Sequence, residues 1–160
     1  MAAGTGTGLQ HPAAQTAQLK ARIRVSADWF FWIAALSIIN SVIMQVGGGL
    51  RFIVGLGITS VVDEIIAKQP SNIHAAGWVV NIVIAGVFVL FGKFGREGKK
   101  PAFIIGMVLY AADGLLMAMA QVWLGVAFHA YALFRIYQGL AAVNALESVQ
   151  QSMATPNYRV

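Results

Sequence analysis

The sequence predicts an all-α fold: a polytopic helical bundle integral to a membrane, with four transmembrane helices and one re-entrant or interfacial helix. Three observations lead there. Of the 160 residues, 58% are apolar and only 11% are charged, and the mean hydropathy is +0.70. Soluble domains carry about 25% charged residues, so eleven Lys and Arg with six Asp and Glu are too few to cover one of this size. The apolar residues fall into runs close to the ~20 that a helix needs to cross a bilayer. Basic residues gather in the short segments flanking those runs, the pattern that orients membrane helices. The net charge of +5 is therefore read as orientation, and no nucleic-acid partner is expected.

Residues 1–27, rich in Gly, Ala, Thr and Gln, are expected to form a disordered tail, because they offer too little apolar surface to offset the entropy of ordering. No apolar stretch follows a basic start within them, so no secretory signal peptide is expected. Lys20, Arg22 and Arg24 end the tail. A membrane domain is expected over 28–147. Its first span, 29–46, opens on Trp29 and stops at Gly47, Gly48 and Gly49, since a glycine run disfavours helix. Segment 50–66 is less apolar and holds Arg51, Thr59, Ser60, Asp63 and Glu64, with Gly55 and Gly57 inside it. The remaining spans are expected at 77–94, 101–124 and 126–146, the third of the four opening on Pro101, a good first helical residue. Residues 148–160 read as a polar tail.

The charge bias decides how segment 50–66 is read. Both basic clusters, Lys20 to Arg24 and Lys93 to Lys100, lie in the cytoplasm only if an even number of spans separates them. If 50–66 does not cross, eight basic residues lie inside and two outside; if it crosses, four lie inside and six outside. The first count follows the rule, so 50–66 is expected to be re-entrant or interfacial on the outer face, where irregular backbone is tolerated if protein covers it. Both termini are then cytoplasmic, and a bacterial inner membrane is the expected location. Trp29, Trp32, Trp78 and Trp123 all fall at predicted interfaces, where amphipathic rings are favoured.

Two charges fall inside predicted spans, Asp113 and Arg135. Counted from the predicted outer ends, both lie ~15 Å deep, where a lone charge costs at least ~2.5–3.5 kcal/mol. They are expected to pair, with Tyr110 and Gln138 one turn away. The pair either fixes helix register or forms a relay or ligand site. Asn40, Asn81, Gln121 and His129, with Thr59, Ser60, Asp63 and Glu64, are candidates to line an outward-facing funnel, or else are satisfied locally. His74 and His129 are weighed as haem or metal ligands, but neither has a companion at ligand spacing. There is no cysteine, which excludes thiolate chemistry, and no nucleophile or phosphate-loop pattern occurs; no cofactor and no catalytic activity are expected.

Two functions follow as expectations. The first is a structural or accessory membrane component acting through lipid, a protein partner or a second copy. Its anionic-headgroup contacts are expected at Lys20, Arg22, Arg24, Lys93, Arg96, Lys99 and Lys100. The second is a small transporter or ligand-binding protein whose outer polar cavity is floored by Asp113 and Arg135.

Overall fold

The computed structural model describes residues 12–45, 56–70 and 73–154. Five helices account for nearly all of them: α1 Pro12–Gln45, α2 Gly57–Ala67, α3 His74–Arg96, α4 Lys100–Met119 and α5 Trp123–Ala154. Three of them, over Ala13–Met44, His74–Arg96 and Lys100–Met119, are long and apolar enough to cross a membrane. This is a membrane protein on that ground. Helix α5 is 32 residues long but falls short on apolarity, since it carries His129, Arg135, Gln138 and a polar end.

Helix α1 packs along both α3 and α5, and α4 packs along α5 and more sparsely on α3. Contacts at both ends fix the directions. Asp28, midway along α1, pairs with Arg96 at the end of α3, and Asn81 near the start of α3 donates to Ser41 near the end of α1, so α1 and α3 are antiparallel. Lys100 pairs with Glu147 and Asp113 meets His129, so α4 and α5 are antiparallel as well. Helix α2 touches α1, α3 and α4. It stands between α1 and α3 in sequence without adding a traverse of the bundle, and both basic clusters consequently share one end.

An aromatic core fills the basic half. Phe30 lies 6.3 Å from Phe88, 5.8 Å from Phe91 and 6.2 Å from Phe103, centroid to centroid. These rings rest on glycines of facing helices: a Cβ at Gly106 would come 2.5 Å from the Phe30 ring, and one at Gly139 would come 2.5 Å from Phe103. Small residues of this kind let helices approach closely where lipid supplies no hydrophobic drive. The outer faces are apolar, including Val79, Ile82, Val83, Ile105, Val108 and Leu115, while Ser37, Asn40, Asp63, Asn81, Asp113 and His129 are buried. That is the inverse of a water-soluble arrangement.

Several expected boundaries are corrected. Residues 12–27 are helical rather than disordered. Their Ala, Gln, Leu, Lys and Arg are strong helix formers continuing a helix that is already nucleated, and Leu19 and Ile23 pack into the core. Helix α5 continues to Ala154, past the expected end at 146. Helix α4 ends at Met119, not at 124, and Trp123 opens α5. The Gln121 and Val122 N–H groups close the end of α4 on the Ala118 and Met117 carbonyls, with Gln121 at φ 58°. Glycine or Asn is usual at this left-handed position, so the sequence carried no stop signal. The α3–α4 turn closes in the same way on Gly98, at φ 78°. Expectations for residues 1–11, 46–55, 71–72 and 155–160 lie outside the described residues.

Candidate functional site

The Asp113 carboxylate is buried. It lies six residues before the end of α4 at Met119, and His129 lies six residues after the start of α5 at Trp123. Antiparallel helices joined by a tight turn bring those positions level, ~9 Å below the turn. His129 Nε2 is 2.8 Å from Asp113 Oδ2, with both side chains almost fully buried. The other ring nitrogen, Nδ1, is 2.7 Å from the Gly125 carbonyl. A carbonyl only accepts, so Nδ1 carries a hydrogen, and Nε2 faces a carboxylate oxygen across a hydrogen-bond distance. One further proton therefore lies between Nε2 and Oδ2, an assignment that follows from the donor and acceptor inventory. With that proton the pair is neutral overall. Tyr110 stacks on the imidazole at 4.3 Å and 16°, and Gly114 leaves room for the ring, since a Cβ there would lie 3.1 Å from His129 Cβ.

The same carboxylate closes the start of α2. Gly57 N–H donates to Asp113 Oδ2 at 2.7 Å and Ile58 N–H to Oδ1 at 2.8 Å. Leu56 N–H donates to Ser37 Oγ at 2.8 Å. A buried helix start has N–H groups that no water reaches. Here a carboxylate from α4 and a hydroxyl from α1 receive them, and the negative charge also sits at the positive end of the helix dipole. Leu56, in the position before the helix, has no side chain able to cap it.

A second polar layer joins α1, α2 and α3. Asn81 Nδ2 donates to Asp63 Oδ1 at 2.7 Å and to Ser41 Oγ at 3.0 Å. Asn40 Nδ2 donates to Ser60 Oγ at 2.9 Å. Thr59 Oγ1 turns back to the Leu56 carbonyl. Two small cavities flank this layer, one of about 170 Å³ against Asn40, Ser60, Glu64, Met117 and Val122, the other of about 190 Å³ against Met44, Asp63, Ile66 and His74.

The expected Asp113–Arg135 pair does not form. The depth count for α4 started from Leu124, whereas the helix ends at Met119; Asp113 is therefore shallower than expected, and Arg135 lies six residues beyond His129 along α5. The Arg135 guanidinium lies 5.7 Å from the Trp29 ring centroid, and its Nε has no hydrogen-bond partner among the described residues. Gln138 makes no hydrogen bond to either layer. Tyr110 does adjoin the pair, but through its ring; its hydroxyl is unpartnered among the described residues. Asn40, Asn81, Ser60 and Asp63 do converge, whereas Gln121 and Glu64 are exposed. His74 is exposed and hydrogen-bonds the Gln69 carbonyl, well apart in role from buried His129. No group of three His, Asp or Glu side chains gathers to hold a metal among the described residues.

Sequence reasoning missed Ser37 and Ser41. Their spacing with Asn40 on α1 places all three on one helical face, so the signal was present. At the basic end, three of the expected headgroup ligands are partly neutralised: Arg96 by Asp28, Lys99 by Glu97 and Lys100 by Glu147. Arg96 also covers the Phe31 ring at 4.7 Å. Arg24, Lys93 and Arg96 line an open groove with Asp28, Glu97 and Phe31. No known family, no curated protein and no solved structure matches the chain.

Proposed function

We propose that the chain is an integral protein of a bacterial cytoplasmic membrane, acting as a structural or accessory component through contacts with lipid and a protein partner. It crosses four times, with α1, α3, α4 and α5, and both termini are cytoplasmic. Helix α2 enters from the outer face and turns back. Its 11 residues span ~16 Å, about half of a ~30 Å hydrocarbon layer.

One observation carries the functional reading: the buried Asp113 and His129 are committed to holding α2, α4 and α5 together. Asp113 accepts from α2 and faces His129 of α5, so this carboxylate is not a free group flooring a cavity with Arg135. That favours a scaffold over a transporter floored by Asp113 and Arg135. What the protein offers outward is apolar helix faces, plus a basic end where the groove of Arg24, Lys93 and Arg96 suits an anionic headgroup, at ~1 kcal/mol per basic residue.

Native mass spectrometry of the full chain extracted in mild detergent tests this. A defined complex with another protein, or retained anionic lipid lost on neutralising Arg24 and Lys93, is the expected result. A monomer retaining a stoichiometric soluble metabolite would overturn it.

A further inference from the structure

We propose that Asp63, Asn81 and Ser41 form a binding site for a single alkali-metal cation. The site is distinct from the Asp113–His129 pair and does not depend on the accessory reading.

Asp63 is 5% exposed. Its Oδ1 accepts one hydrogen bond, from Asn81, while its Oδ2 has no partner among the described residues. No Lys, Arg or His pairs with it among those residues. A buried carboxylate with one neutral hydrogen bond is far from compensated for its lost hydration. The neighbouring groups compound this. Asn81 is fully buried and spends its amide nitrogen on Asp63 and Ser41. That orientation is forced, because the reverse would set a carbonyl against a carboxylate. Asn81 Oδ1 is thereby left without a donor, and so is Asn40 Oδ1, one position before Ser41 on α1.

Buried polar atoms without partners are rare, and here Asp63 Oδ2 and Asn81 Oδ1, on two side chains already joined by a hydrogen bond, both lack donors among the described residues. A further hydrogen-bond acceptor would satisfy neither of them; a cation held between the two side chains would. The ligands are all oxygen, the preference of hard cations. The single formal negative charge matches a monovalent ion, whereas a divalent one would leave uncompensated charge in the interior. The cavity of about 190 Å³ beside Asp63, lined also by Met44, Ile66 and His74, provides the approach from the end of the bundle.

The test uses the purified full chain in mild detergent. Saturable binding of radioactive sodium is measured directly, and thermal midpoints are compared in sodium, potassium and choline chloride at equal ionic strength. The expected result is about one sodium bound per chain, with a midpoint higher in sodium or potassium than in choline, as linkage requires. Asp63→Asn should abolish both effects and remain folded in choline, because the new amide donates to the unpartnered Asn81 oxygen. Ser41→Ala should weaken sodium binding without abolishing it. Absence of saturable binding together with equal midpoints in the three salts overturns the proposal. So does sodium binding that persists in Asp63→Asn. The wild-type salt comparison decides the matter even if a variant fails to fold.

Discussion

His129 and Asp113 face each other at 2.8 Å across the α4–α5 interface, and the proton between them keeps a carboxylate and an imidazole neutral as a pair inside the membrane domain. The carboxylate simultaneously receives two N–H groups of α2. Three helices are therefore tied at one side chain. Removing either partner leaves the other buried and uncompensated, which is worse than never having had the pair.

Asp113→Ala is expected to destabilise the protein by about 3–5 kcal/mol. Asp113→Asn should cost less, about 1–3 kcal/mol, because one carbonyl still accepts while the amide meets an N–H. Both should accelerate amide exchange at Gly57 and Ile58 well before the rest of the bundle. Thermal midpoints and hydrogen exchange in detergent check this, and unchanged protection at the start of α2 would refute the clamp.

Glycine contacts give a paired prediction. Gly139→Ala places a Cβ 2.5 Å from Phe103 and 2.6 Å from Ser26 Cβ, and overpacking of this kind costs about 1–3 kcal/mol. At Gly86 an added Cβ meets nothing within 4 Å. Gly86→Ala should be neutral, or stabilising by up to about 1 kcal/mol through helix propensity. Equal effects at the two sites, read as thermal midpoints, would refute the packing argument.

The proposed topology is tested by reporters. An insertion at Ser71 should report the outer side, and one at Gly98 the cytoplasm. A fully crossing segment between α1 and α3 would reverse both readings.

Glu97, in the α3–α4 turn, is held below its ordinary value of 4.5, chiefly by the hydrogen bond from Lys99, with the charges of Lys99 and Lys93 adding to it. A lowered folded-state value means a contribution fully present above 4.5 and lost as pH falls through the lowered value. Carboxyl NMR should place the Glu97 midpoint below 4.5 and move it upward in Lys99→Ala. High salt should also raise it, since the group is exposed and screened.

The apolar spans were legible because their periodless hydrophobicity needs no partner to interpret. The antiparallel setting of α1 and α3 was legible too, since the charge bias reports which segment ends share a side. The end of α4 was not. It rests on Gln121 in a left-handed conformation, where no Gly or Pro marks the stop. That single boundary shifted the depth of Asp113, and with it the choice between Arg135 and His129 as partner. The capping of α2 was also beyond reach, because its acceptors come from other helices, Ser37 19 residues away in sequence and Asp113 55 and 56 residues away. A local capping motif would have been readable; a tertiary one is not. The helical start at Pro12 was hidden for a different reason. Low apolarity argues against burial but not against helix, and good helix formers extend a segment that packing has already started.

The shortness of α2 has a consequence for the lipid around the protein. In the four-span topology proposed above, four helices share the cross-section at the basic end, and five at the other. A helix with its side chains is ~10–12 Å across, so one leaflet must yield roughly 80–110 Å² more than its opposite. In the orientation proposed above the molecule is a wedge, broad in the outer leaflet and narrow in the inner. Such a shape favours bilayer that is convex on the outside, and many copies side by side would bend a flat sheet in that direction.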